Sequence, residues 1–147
     1  MEKTPFCPYK NLGPNDCKIY SLDTLRKNFY YIFPIFYMMC IFGLSSIPDY
    51  SSKNTQFLYL ISPSIQDFLH IPEFGILAYL WMLALDKNSL LKAGWWAAGI
   101  SIIYGFLDEF HQLFIPGRYA SFGDIIFNIL GILLGIIIYG IIKLAMK

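Results

Sequence analysis

FYYIFPIFYMMCIFGLSSIP, residues 29–48, contains no charged side chain in twenty consecutive positions. An α-helix rises about 1.5 Å per residue, so a helix of this length can cross the roughly 30 Å hydrocarbon core of a bilayer. We therefore predict a membrane-spanning helix over this range.

Three more segments of the chain are apolar enough to cross a membrane. Residues 68–85 qualify if the polar side chains at their start lie at the membrane surface, and residues 93–114 are followed by a helix-breaking Pro-Gly pair. Residues 122–142 form the last of these segments. The composition agrees, because 56% of the residues are hydrophobic and only 14% are charged. We predict an all-α fold: a polytopic membrane protein built as a bundle of four transmembrane helices.

The lysines and arginines are distributed unevenly across the predicted membrane. Nine of the 11 fall on one side and two on the other. Cytoplasmic segments are enriched in these residues, so we predict that both termini are cytoplasmic. The chain then divides into a cytoplasmic tail, residues 1–28, and a four-helix membrane domain, residues 29–147. The predicted inner residues are Lys3, Lys10, Lys18, Arg26, Lys27, Lys87, Lys92, Lys143 and Lys147, and the outer ones are Lys53 and Arg118.

Two short polar clusters lie within these otherwise apolar helices. One is at the start of the second span, and the other runs from the end of the third span to the start of the fourth. Burying an ionisable side chain inside a membrane costs free energy, so its presence there indicates a functional site. The predicted topology brings both clusters to the outer leaflet, and spacings of three and four residues put the polar side chains of each helix on one face. With the serines that end the first span, the residues are Ser45, Ser46, Asp67, His70, Glu73, Asp108, His111, Gln112, Asp124 and Asn128.

Three interpretations of these residues are compatible with the sequence. In an enzyme acting on a lipid-linked or amphiphilic envelope substrate, Glu73 or Asp108 would be the general base and a nearby histidine would carry the proton. In a non-catalytic binding or transport module, the same groups would hold a lipid headgroup or a glycopeptide. In a purely structural bundle, they would pair with one another. The candidate catalytic residues are Glu73, Asp108 and His111, and the candidate ligand-binding residues are His70, Gln112, Arg118, Asp124 and Asn128.

Two histidines and several carboxylates at one level of the membrane also permit a metal site. Their spacing matches no metal-binding motif, so we assign no metal and no cofactor, and we expect no nucleic-acid partner. Glu109 follows Asp108 directly and should diverge from it by about 100° around the helix. We expect it to pair with Arg118 or to face the lipid headgroups. The metal site considered consists of His70, Glu73, Asp108 and His111.

The second cluster and its surroundings resemble the VanZ-like family of bacterial integral membrane proteins. The resemblance rests on the run YGFLDEFHQ at residues 104–112, on FIPGR at residues 114–118, and on the serine–proline turn after the first span. It covers about residues 29–142. The chain departs from the family at Phe68, where the family usually has lysine, and at Pro72. Further matching positions are Asp67, His70, Ser121, Asp124, Asn128, Gly131 and Gly135.

The resemblance implies a function at the outer face of the membrane. The family's founding member is associated with low-level resistance to teicoplanin, a lipoglycopeptide that acts on that face. We therefore expect a protein of the bacterial cell membrane. Its expected partners are membrane lipids and either a lipid-linked envelope precursor or a lipoglycopeptide.

Overall fold

A computed structural model of the chain describes residues 29–48, 63–87, 89–118 and 121–146, with side chains from residue 68 onward in the second range. The tail of residues 1–28, Lys53 and the side chain of Asp67 lie outside the described residues. Within the described ranges all regular secondary structure is helical, so the predicted all-α four-helix fold is confirmed. The helices are α1 (Ile32–Ser45), α2 (Pro63–Leu85), α3 (Leu90–Gln112) and α4 (Phe122–Ala145).

The helices α2, α3 and α4 are each long and apolar enough to cross a membrane, which makes the chain a multi-pass membrane protein. The helix α1 has 14 residues and spans about 21 Å. It is therefore shorter than the helix predicted over residues 29–48. It ends at Ser45, where the next residue, Ser46, donates its hydroxyl to the carbonyl oxygen of Phe42 at 2.6 Å. Such side-chain bonds compete with helix propagation, and Pro48 also disfavours continuation.

The helix α2 lies at the centre of the bundle and contacts each of the other three helices. Its buried side chains include Phe74, Leu77 and Met82, which pack with Ile41 of α1 and Ile132 of α4. Large apolar side chains on the other faces of the helices are exposed. Hydrocarbon solvates such faces without cost, so an apolar exterior around a small core suits a bundle surrounded by lipid.

Glycines bring the backbones of α2 and α4 into direct contact. A Cβ atom added at Gly131 would overlap the carbonyl oxygen of Ile71, and one added at Gly135 would overlap that of Gly75. A Cβ added at Gly75 would in turn lie 3.1 Å from the carbonyl oxygen of Gly131. The Gly131–Gly135 step therefore serves close helix packing, as small residues four apart do in membrane proteins.

An ion pair joins α2 and α4 at the end of the bundle where α2 leads into α3. The side chain of Asp86, just after α2, is fully buried, and it accepts hydrogen bonds from Lys143 and, at 3.0 Å, from the Tyr139 hydroxyl. Nearby, the ammonium group of Lys87 lies 5.0 Å from the centroid of the Tyr31 ring. These contacts fix the ends of the helices opposite the predicted site.

Candidate functional site

The polar residues singled out in the sequence lie together at one end of the bundle, where α1 and α3 end and α4 begins. Most of them are buried, and they divide into two groups with different partners. One group joins α1 to α3, and the other joins α2, α3 and α4. The buried polar residues at this end are Ser45, Asp108, Glu109, Gln112, Asp124 and Asn128.

Asp108 is the centre of the first group. Its Oδ1 accepts a hydrogen bond from the Ser45 hydroxyl at 2.6 Å, and its Oδ2 accepts one from the Gln112 amide at 3.0 Å. The residue is 3% exposed, and both of these donors are neutral. Hydrogen bonds to a carboxylate are stronger than neutral ones, so the hydrogen bond from Ser45 anchors the short helix α1 to α3.

His111 also belongs to the α1 side. Its ring stacks on Phe42 with centroids 4.4 Å apart, and its Nε2 lies 3.0 Å from the Ser46 hydroxyl oxygen. That hydroxyl already donates its single hydrogen to the carbonyl of Phe42, so Nε2 is the donor in the contact with Ser46. A nitrogen that carries a hydrogen is not a base. A proton-shuttle role for His111 would therefore fall to Nδ1.

The second group is a cluster of His70, Glu109 and Asp124, called here the His70 cluster. One ligand atom from each side chain lies within 4.8 Å of those of the other two. Glu109 is 3% exposed and Asp124 6%, while His70 is partly buried. Glu73 stands beside the cluster, with its Oε2 3.7 Å from Nδ1 of His70. Three helices thus bring an imidazole and two buried carboxylates to one point.

Hydrogen bonding in this second group is incomplete. Glu109 Oε2 accepts from the backbone N–H of Ser121 at 3.2 Å, which ties the end of α3 to the start of α4. Other buried polar atoms in this group have no hydrogen-bond partner within the part of the chain that the structure describes. They are Oε1 of Glu109, Nδ1 of His70 and both side-chain amide atoms of Asn128. Buried polar atoms without partners cost free energy, so each calls for an explanation such as a bound ion, ligand or water.

Arg118 supplies a positive charge to this end of the bundle. It follows Gly117, whose φ of 82° lies in the left-handed region and turns the chain after α3. The partly buried Arg118 interacts electrostatically with both Glu73 and Glu109. Anionic and cationic groups are therefore both available at this end.

Of the two expectations for Glu109, the one that pairs it with Arg118 agrees with the structure, because the two side chains interact electrostatically. The expectation that it could face the headgroups is wrong, because it is buried among α2, α3 and α4. The α3 helix buries every fourth residue from position 93, and this stripe runs through Ser101 and Gly105 to Glu109. Small side chains at positions 93, 97, 101 and 105 were a signal in the sequence that 109 shares their face.

The four residues considered as a metal site do not assemble as a set. Asp108 and His111 face α1, as described above, and only His70 belongs to the cluster that the described residues bring together. Glu73 stands beside that cluster. In the structure, the residues that lie close to His70 are thus Glu109 and Asp124, and not Asp108 and His111.

A sequence model of one protein family, described as VanZ/LLP1, matches residues 26–143. The match includes all four helices up to the last turn of α4 and every residue of both polar groups. No curated protein and no solved structure matches the chain significantly.

Proposed function

Because the chain belongs to the VanZ/LLP1 family, we propose that it binds the polar head of an amphiphilic cell-envelope molecule at the outer leaflet of the bacterial cell membrane. The head group contacts the polar residues at the end of the bundle. The hydrocarbon part lies along the apolar exterior of the helices, which exposes large side chains such as Phe110 and Phe114 near that end.

The observation that carries this proposal is the contrast between the two polar groups. Asp108 has a neutral donor for each of its oxygens, which suffices for a structural role. Glu109 and Asn128 are equally buried, yet they keep polar atoms without partners among the described residues. A polar network that only held the bundle together would gain stability by satisfying these atoms. A head group with hydroxyl, amide or phosphate groups can satisfy them, and Arg118 can pair with its negative charge.

The outer location rests on the basic residues. Lys87, Lys92 and Lys143 lie at the end of the bundle opposite the site, whereas Arg118 lies at the site. Positive charge marks the cytoplasmic side. Both termini are therefore proposed to be cytoplasmic, with the polar groups facing the envelope.

Cysteine labelling tests this orientation. In a variant without the three natural cysteines, a single cysteine at position 53, outside the described residues, is expected to react with an impermeant maleimide on intact cells. A single cysteine at position 90, at the start of α3, is expected to react only after lysis. The reverse pattern would place the polar groups at the cytoplasmic face and remove the link to envelope ligands.

Lipid-linked envelope precursors and lipoglycopeptides both combine a polar head with a hydrocarbon tail. A protein that holds a lipoglycopeptide at the outer leaflet lowers the amount that reaches its target, so we propose that the chain reduces teicoplanin susceptibility. A glycopeptide without an acyl chain lacks the membrane-bound part and should be unaffected. This difference separates amphiphile binding from a general change in the envelope.

Asn128→Leu is expected to abolish binding without weakening the fold. Leucine has the same branched shape and the same number of side-chain heavy atoms as asparagine, and it replaces two polar atoms that lack partners within the described ranges with apolar ones. We expect the variant to unfold at the same or a higher temperature than the wild type, since such a replacement is neutral or stabilising. The measurements are thermal unfolding in detergent, native mass spectrometry of co-purified envelope lipids, and the teicoplanin inhibitory concentration of expressing cells.

The matched control is Ser101→Ala. Ser101 is fully buried on α3, also lacks a hydrogen-bond partner in the described part of the chain, and lies two helical turns from the site. It should keep bound lipid and the teicoplanin effect. If Asn128→Leu unfolds more easily and retains lipid, the residue is structural and the proposal fails. Lipid binding without a teicoplanin effect would reject only the lipoglycopeptide role.

A further inference from the structure

We propose that the His70 cluster binds a divalent transition-metal ion, Zn²⁺ or Mn²⁺, through His70, Glu109 and Asp124. The inference goes beyond amphiphile binding and does not depend on it, because the three side chains can hold an ion without a head group present.

The geometry provides three ligands from three helices. Their ligand atoms lie within 4.8 Å of one another. Zinc binds histidine nitrogen and carboxylate oxygen at about 2.0 to 2.2 Å, so modest side-chain rotations would bring all three atoms around one ion. Because the residues come from α2, α3 and α4, the ion would also join the ends of these helices.

Charge and burial favour a cation at this point. Glu109 and Asp124 place two carboxylates next to each other in a buried position, and each is less than a tenth exposed. Such charges are costly to bury unless they are paired or coordinate a metal. Glu109 uses one oxygen for the backbone N–H of Ser121, and its other oxygen has no partner among the described residues. That oxygen is available to an ion.

The chemistry of the ligands selects the class of metal. Imidazole nitrogen suits zinc, and the two carboxylates also suit manganese, whereas magnesium and calcium prefer oxygen ligands alone. Glu73 Oε2 lies 3.7 Å from Nδ1 of His70, so a small rotation would let it accept a hydrogen bond from Nδ1 and orient the ring with Nε2 toward the ion, as a carboxylate beside a metal-binding imidazole commonly does. Three protein ligands leave a coordination position open, where an oxygen of a bound molecule could enter.

The test measures metal binding by the full chain, purified in detergent without a polyhistidine tag. The natural cysteines Cys7, Cys17 and Cys40 are replaced so that no thiolate competes for zinc. We expect one Zn²⁺ or Mn²⁺ per chain after loading and dialysis, and an increase in unfolding temperature with either ion but not with Mg²⁺. X-ray absorption of the zinc form should show nitrogen and oxygen ligands only.

Glu109→Gln is expected to weaken metal binding by at least about 100-fold, the upper end of what loss of an outer-shell partner costs, because it removes the charge of a direct ligand while preserving shape. The matched control is Asp108→Asn, which changes the neighbouring carboxylate, the one that faces α1. This variant should keep the metal. Should Glu109→Gln fail to fold, His70→Leu provides the second variant. The inference is overturned if neither ion stabilises the wild type, if Glu109→Gln binds as tightly as wild type, or if Asp108→Asn loses the metal equally.

Discussion

Replacing Gly131 with alanine is expected to destabilise the bundle by about 1 to 3 kcal/mol, as overpacking does. The added methyl group would overlap the carbonyl oxygen of Ile71, which is backbone and cannot rotate away. The helices α2 and α4 must then separate, although alanine is a better helix former than glycine by up to about 1 kcal/mol. Gly131→Leu should prevent folding. Thermal unfolding in detergent and the yield of monodisperse protein are the measurements.

Gly140→Ala is the control on the same helix. Apart from its own stretch of helix backbone, a Cβ atom at Gly140 has no atom within 4 Å among the described residues, so alanine there gains helix propensity without a clash. This variant should be as stable as wild type or more so. If both alanine variants behave alike, the backbone contact between α2 and α4 does not support the fold.

The apolar runs were sufficient to predict the four helices, because only a helix can satisfy its own backbone inside hydrocarbon, although, of the described helices, only α2, α3 and α4 are long enough to be candidate spans. They were less informative about helix ends. The uncharged run of residues 29–48 continues past the helix, but Ser46 bonds back to the carbonyl of Phe42 and α1 ends at Ser45. Hydropathy does not register such a local hydrogen bond. Conversely, α2 begins at Pro63, ahead of the apolar segment that predicted it.

The site was harder to predict than the fold, because it depends on how each helix is rotated. Spacing correctly grouped Asp108 with Gln112 on one helix, and the structure joins them at 3.0 Å. It could not say which neighbouring helix each side chain meets. A step of one residue turns a helix by about 100°, so Asp108 reaches Ser45 of α1 whereas Glu109 reaches the His70 cluster.

The two ends of the bundle also differ in how their charges are balanced. At the end with Asp86, a lysine and a tyrosine hydroxyl contact one buried carboxylate. At the other end, Glu109 and Asp124 are both buried, and Arg118 interacts electrostatically with Glu109. Two buried carboxylates beside one arginine are more costly to bury than the single paired carboxylate of Asp86, which suits an additional cation at this end.

Lys143→Met is therefore expected to be among the most damaging changes at the end opposite the site. It leaves the carboxylate of Asp86, whose side chain is 0% exposed, with the neutral Tyr139 hydroxyl as its one side-chain partner among the described residues. Removing one partner of a buried ion pair costs about 3 to 5 kcal/mol, and we expect the lower end of that range because the Lys143 side chain is 35% exposed. The measurement is the free energy of unfolding in detergent and denaturant.

The matching variant Asp86→Asn should cost much less, since the partly exposed lysine that it leaves can extend its long side chain to the membrane surface. In the double variant no buried charge is left without a partner, so Asp86→Asn should recover most of the stability lost in Lys143→Met. Equal losses in the two single variants, or purely additive losses in the double variant, would mean that the pair does not act as a unit. The metal content of Lys143→Met should equal that of wild type, because the His70 cluster lies at the other end of the helices. Loss of both stability and metal would show that the two ends are coupled through α2 and α4.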